Sequence, residues 1–365
     1  MADLAVSEAL PREPKTEEQK LVRDSILLAR PGGEVTDDAA AKKVLERFLP
    51  RAFRRRLVDG ELAEILGLFS TLRSNGDDFD TAIRKTIAAS LVSPKFLLRL
   101  EETKDTEKAY PVGLYELASR LSYFLWASMP DDELLKLAAD GSLAREDVLE
   151  GQIRRMLRDR RSNSLGDTFA AQWLGYGILG TRVRMDPIDN PWCTDSLMTA
   201  MRQETSMLFV SLVRENQPIL RLLDSKHTFL NEELAKHYRI RGIEGSEMRR
   251  VKLEDPRRFG LFGHGSVLAI TSFPGRTSPV IRGRWILADV LGTPPPPPPP
   301  NVSELADEIR ENRKLSQRQK LELHRRNPQC ASCHDEMDPL GLSLENFDWF
   351  GPDAKAKKNQ WQTSG

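Results

Sequence analysis

The stretch Leu114-Tyr-Glu-Leu-Ala-Ser-Arg-Leu-Ser-Tyr-Phe-Leu-Trp126 decides the fold class. Leu114, Leu117, Leu121 and Leu125 recur at steps of three and four, which lines them along one face of a helix. Tyr123, Phe124 and Trp126 add bulk and read as core rather than as a cofactor box. Immediately after, Pro130-Asp131-Asp132-Glu133 opens another helix with acids in its first turn, where they suit the helix dipole, and Gly141 ends it.

Working outward, the same spacing recurs on both sides. Towards the N-terminus, Val44, Leu45, Phe48 and Leu49 form one apolar stripe. Leu62, Ile65, Leu66 and Phe69 form a second, and Ile83, Ile87, Leu91 and Val92 a third. Ser93-Pro94 has the cap-and-proline signature of a new helix, expected to run to Glu102. Towards the C-terminus, Leu149, Ile153, Met156 and Leu157, then Gln172-Trp173-Leu174, then Met207, Leu208 and Leu212, carry the helical pattern to about residue 238. No sustained alternation of period two appears, so the expected fold is mainly α.

The expected organisation is a partly disordered lead-in over 1–39 around one short helix near 17–29, then a small helical domain over 40–105. A helical domain follows over 110–240, then a last α domain over 249–354. Residues 355–365 read as the start of a truncated segment. Pro294 to Pro300 is a run of seven prolines inside the last domain, a stiff polyproline II spacer of about 20 Å. Helices are expected beyond it at 302–312 and 316–324.

The chemistry-bearing motif is Cys330-Ala331-Ser332-Cys333-His334. Two thiols three positions apart with an imidazole directly after the second is the arrangement that attaches haem c. Each sulfur forms a thioether to a haem vinyl group, and the adjoining His is carried beneath the iron as proximal ligand. On a helical turn all three share a face. Structural zinc is the competing reading, with His324 joining Cys330, Cys333 and His334, although no second CxxC pair exists. A thioredoxin-like pair lacks any surrounding βαβ pattern. Cys193 is left as a buried thiol.

Other clusters read blandly. Arg51, Arg54, Arg55 and Arg56 suggest a salt-bridged face more than a phosphate site. The acid pairs Asp131-Asp132 and Glu232-Glu233 sit in first helical turns, where capping explains them better than acid/base catalysis. Phe259 to Pro279 is glycine-rich and contains His264, but lacks the order of a phosphate loop. Thr277-Ser278-Pro279 caps a helix, and Arg276, Arg282 and Arg284 around its start are either partners for haem propionates or plain surface charge.

Lys+Arg and Asp+Glu both number 54 in 365 residues, so there is no general attraction to nucleic acid. No apolar run approaches a membrane span, and Met1 to Pro14 has no apolar core of a signal peptide. Haem c is attached outside the cytoplasm. The expectation is therefore an exported or periplasmic protein of which this chain is a fragment.

Several segments, in order, resemble the cytochrome c-like multidomain proteins abundant in Planctomycetes and related bacteria. They are LVSPKFLLRLE (91–101), LASRLSYFLWASMPDDELLKLA (117–138), AQWL (171–174), RQETSMLF (202–209) and TFLNEELAKHY (228–238). RTSPVIRGRWIL (276–287), LGTPPPPPPPNV (291–302) and HRRNPQCASCHDEMDPLGLSLENFD (324–348) complete the set. The resemblance implies two helical domains followed by a cytochrome c-like domain, with Cys330 and Cys333 as thioether sites and His334 as proximal ligand. Fuller members carry a signal peptide and a further domain after the LENFD segment. Gly263-His264-Gly265 departs from the family's usual residues.

The sixth iron ligand decides the use of such a haem, since Met raises the potential whereas an open position permits peroxide or oxygen chemistry. His324, far enough before the motif to fold over, and Met337, only three residues past His334 and so poorly placed for the opposite face, are the candidates, with a ligand from a missing C-terminal region an equal alternative. The carbonyl of Pro339 is the expected acceptor for the Nδ1–H of His334. The function expected is electron transfer to a redox partner. A peroxidase- or dehydrogenase-like haem enzyme, and a zinc-stabilised binding module, stand as alternatives.

Overall fold

The structure is a computed structural model describing residues 1–101, 105, 108–184, 188, 190–297, 315–326 and 328–352. The expected helix at 302–312, most of the expected linker at 104–108 and residues 355–365 lie outside the described residues, as does the second half of the proline run. The fold is mainly helical, with 61% of it in helices and a single two-stranded sheet among the described residues. Packing divides the chain into two compact units, Met1–Asp159 and Arg160–Gly365, so the division falls inside the segment expected as the second domain.

In the first unit, α1 (Ala2–Ala9) and α2 (Glu17–Ile26) precede α3 (Asp37–Phe53), α4 (Glu61–Ser74), α5 (Phe79–Leu91) and the single turn α6 (Pro94–Leu97). Thr36, Asp78 and Ser93 cap α3, α5 and α6 by accepting from backbone amides in the first turn. α6 is shorter than the sequence suggested, ending at Leu97. The lead-in is not loose. Val6 and Leu10, four apart and so on one helical face, are buried with Leu27 among Val44, Leu45, Leu49, Phe69, Ile83 and Ile87. The arginine cluster is internally satisfied. Arg54 caps α3 in a left-handed conformation and donates to the carbonyls of Ala52, Lys95, Phe96 and Leu98. Arg55 makes a bidentate pair with Glu61, and the Arg51 Nη1 donates to both carboxylate oxygens of Asp132.

The unit continues through α7 (Leu114–Trp126), α8 (Asp132–Ala139) and α9 (Glu146–Arg158). Trp126 is buried and donates its indole N–H to the Met156 carbonyl, so the aromatic stripe is core at this position. Asp131 caps α8 by accepting from the Leu134 amide, as the capping reading of the acid pair requires.

The second unit begins with a π-helical turn (Leu165–Ala170) running into the short α10 (Ala171–Trp173). The long α11 (Asp195–Arg214) follows and is buried nearly all round. After α12 (Arg221–Asp224) comes a departure from the expected all-helical run: β1 (His227–Leu230) pairs antiparallel with β2 (Arg249–Lys252), on either side of α13 (Glu232–Tyr238). Strands of four residues offer too few alternations to register as a pattern. Asn231 caps α13, which places Glu232 and Glu233 in its first turn.

The chain then forms α14 (Gly265–Ile270) and α15 (Pro279–Trp285), the latter capped by Ser278. Beyond the proline run lie α16 (Gln317–His324) and α17 (Pro328–Leu342). The proline run does not hold the segments before and after it apart. α15 and α17 meet at two glycines: a Cβ on Gly283 would lie 1.9 Å from the Met337 carbonyl oxygen, and one on Gly341 would lie 1.7 Å from that of Pro279. Past α17, Trp349 and Phe350 enter the core formed by Leu197, Met198 and Met201 of α11 with Leu234 and Tyr238 of α13.

Candidate haem-attachment site

α17 carries the whole motif on one continuous helix. Cys330 is buried and Cys333 half-buried, and both are free thiols. Residues i, i+3 and i+4 of a helix share a face, so the two sulfurs and the imidazole are neighbours by construction. The His334 Nδ1 lies 2.9 Å from the Asp338 Oδ1. Nδ1 is thereby occupied and Nε2 is the nitrogen left to bind a metal.

Asp338 replaces the expected partner. The Pro339 carbonyl accepts from the Ser343 amide at 3.2 Å, because the helix continues through Pro339 and turns that carbonyl along its axis. Asp338 itself is fully buried, its second oxygen has no hydrogen bond, and the Arg325 Nε stands 3.7 Å from that oxygen. Arg325 also faces Asp335 at 3.7 Å.

The two candidate sixth ligands, His324 and Met337, have different surroundings. The rings of His324 and His334 touch edge to face with centres 4.9 Å apart. His324 is thus a direct neighbour of the His334 ring. Burial, and next the adjacent His334, pull the His324 pKa below its ordinary value, with Asp338 opposing. Met337 is buried where α17 crosses Gly283.

Of the propionate candidates, Arg282 is unsuited to the task. It is completely buried and donates to the carbonyls of Leu344, Phe347 and Asp348 and to Glu345 and Ser272. Arg276 lies over the Phe273 ring at 4.0 Å, and Arg284 is exposed. The zinc set is not assembled: among the described residues no group of three or more His, Cys, Asp or Glu side chains could hold a metal ion. For a covalently held haem the residues do fit, with two unpaired thiols and an imidazole whose Nδ1 is already engaged.

A second polar cluster lies deep in the same unit, and sequence reading singled out only His264 and Ser266 of it. Glu204 of α11 accepts from the Tyr238 hydroxyl at 2.6 Å and from Thr228 at 2.7 Å. His264 meets Thr205 through Nδ1 at 2.9 Å, and Thr205 meets Ser266 at 2.7 Å. The His264 Nε2 is 3.8 Å from Glu204, and the Arg258 guanidinium covers the Tyr238 ring at 4.1 Å. Burial raises the Glu204 pKa to about 7, against the Tyr238 and Thr228 hydrogen bonds, and lowers that of His264 to about 3. Burial likewise pushes the Tyr238 phenol up and the Cys193 thiol to about 11. With Glu204, Thr205, Thr228, Tyr238, His264 and Ser266 all buried and bonded to one another, the network describes a structural cluster.

The fold and this site together define a multi-helical protein that presents a CxxCH motif on a packed helix. Three family models match it in chain order, each described as a protein of unknown function: PSD5 (DUF1595) over residues 40–101, PSD4 (DUF1592) over 112–240 and PSCyt3 (DUF1588) over 258–357. These are the names of planctomycete cytochrome c-like domain families. No curated protein and no solved structure matches the chain. No helix among the described residues is long and apolar enough to cross a membrane.

Proposed function

We propose that this chain is an exported haem c protein that passes electrons within a larger redox or surface assembly, with its helical domains docking a partner. The observation carrying this reading is the arrangement on α17: free Cys330 and Cys333 one turn apart, followed by His334 with its Nδ1 engaged and its Nε2 available. When bound, the haem supplies a one-electron iron couple. Cys330 and Cys333 anchor it, His334 presents Nε2 to the iron, and α15 braces the helix that carries all three.

A haem enzyme of peroxidase or dehydrogenase type is the second reading, and the contact between the His324 and His334 rings supports it, since it engages His324 beside His334. One preparation tests both. The chain is exported into a periplasm with haem c maturation proteins and its pyridine haemochrome recorded. A c-type haemochrome lost in C330S/C333S supports haem c, and its absence from the unaltered protein sinks the proposal. A ferric spectrum unmoved by cyanide or peroxide supports electron transfer, whereas ready binding supports the enzyme.

A further inference from the structure

We propose that Asp338 is the positioning residue for His334 and that its carboxylate sets the haem at a low reduction potential. The proposal rests on the haem c reading and goes beyond it to how the site is tuned.

The geometry is specific. Asp338 lies four residues after His334 on α17, one turn further along the same face, with Nδ1 and Oδ1 2.9 Å apart. Asp338 is fully buried, yet that hydrogen bond is the one its carboxylate makes, for the second oxygen is buried without a hydrogen-bond partner. Folding alone gains little from this. A buried carboxylate with a single hydrogen bond is costly, and an acid in the last turns of a helix opposes the dipole. A carboxamide would make the same contact to Nδ1–H without the charge. What the carboxylate adds is negative charge on the far side of the imidazole from the iron.

That charge has a definite consequence. A backbone carbonyl accepting from Nδ1–H would orient the ring alone. A carboxylate orients it and also draws the Nδ1 proton towards itself, which makes Nε2 the more electron-rich ligand. Such a ligand stabilises ferric iron over ferrous and lowers the potential. Arg325, whose Nε stands 3.7 Å from the free oxygen of Asp338, draws on the same carboxylate from the other side. It moderates the effect, so the pair of Asp338 and Arg325 forms a graded control on one iron ligand.

The test is a potentiometric titration of the exported, haem-loaded chain and its D338N and R325Q variants. D338N keeps an acceptor for Nδ1–H and removes the charge. It is expected to retain full covalent haem by pyridine haemochrome and to shift the one-electron equilibrium at least tenfold towards the ferrous form, which is 59 mV upward. R325Q, altered at a partly exposed residue, is expected to move the potential downward. A purely structural Asp338 would change folding or haem content without this opposed pair of shifts. A D338N potential equal to that of the unaltered protein overturns the assignment while leaving haem binding standing. If D338N fails to accumulate, an unchanged or raised potential in R325Q overturns it instead. An unaltered protein without c-type haem overturns the haem reading, and this assignment with it.

Discussion

Gly283 of α15 touches the backbone of Met337 of α17, close enough that a methyl group at Gly283 would lie 1.9 Å from the Met337 carbonyl oxygen. Backbone has nowhere to yield, so G283A is expected to force the helices apart and cost about 1–3 kcal/mol. Gly67 of α4 is the internal control. Nothing lies within 4 Å of its added Cβ and its φ is ordinary, so G67A should stabilise by about 1 kcal/mol. Urea midpoints of the two variants should move in opposite directions.

Removal of Arg282 tests how the segment after the motif is held. Its guanidinium gathers the carbonyls of Leu344, Phe347 and Asp348. R282M fills much of the volume and leaves those acceptors buried without their donor, at a cost of roughly 3 kcal/mol. Hydrogen exchange should quicken at amides of residues 344–350 beyond the general loss of stability. Unchanged protection there would remove Arg282 as their organiser.

Stability should depend on pH through the cluster of α11. Glu204, with an ordinary value of 4.5 raised to about 7, holds its proton more tightly when folded. Its contribution is full below pH 4.5 and is lost as the pH rises to about 7, by roughly 3 kcal/mol in all. His264 acts oppositely, since its value falls from 6.5 to about 3 and the unfolded chain takes up the proton first. Its term grows with pH up to 6.5. The two slopes cancel between about pH 4.5 and 6.5. In E204Q only the histidine term remains, so its stability should climb with pH across that window, as measured by urea unfolding at stepped pH. A flat profile in E204Q would contradict the assignment.

Glu61 behaves as the mirror case. Arg55 first, with help from Lys95 and the Val58 amide and against burial, holds its carboxyl down at about 2. That stability is present above pH 4.5 and is lost as the pH falls towards 2. E61Q leaves Arg55 without its bidentate partner and should cost roughly 2–3 kcal/mol at neutral pH, with the difference from the unaltered protein narrowing in acid. Thermal unfolding at pH 7 and pH 3 gives the comparison.

Much of the architecture was legible because helices announce themselves locally. Leucines three and four apart gave α7, and Ser93, Asp131 and Ser278 stand where capping chemistry places helix starts. Long-range packing is what a local pattern omits. Val6 and Leu10 look like isolated apolar residues in a polar lead-in until α5 is set beside them. Nothing near Glu204 in sequence reveals that most of α11 is buried. Asp338 is a different kind of omission. The spacing His-x-x-x-Asp is a helical pairing signal, but it counts only if the helix runs on through Pro339, and proline argues against that.

The contact between α15 and α17 joins residues on opposite sides of a run of seven prolines, and Trp349 and Phe350 continue into the core around α11. The proline run therefore looks like a natural cutting point for subcloning and is the wrong one. A product ending at Thr293 would leave Leu197, Met198 and Tyr238 without two of their aromatic neighbours. One starting after the prolines would carry the CxxCH helix with its glycine seam facing water. The seam that holds the CxxCH helix therefore draws on polypeptide from both sides of that run, so the setting of the motif is a property of the whole second unit and not of the pentapeptide.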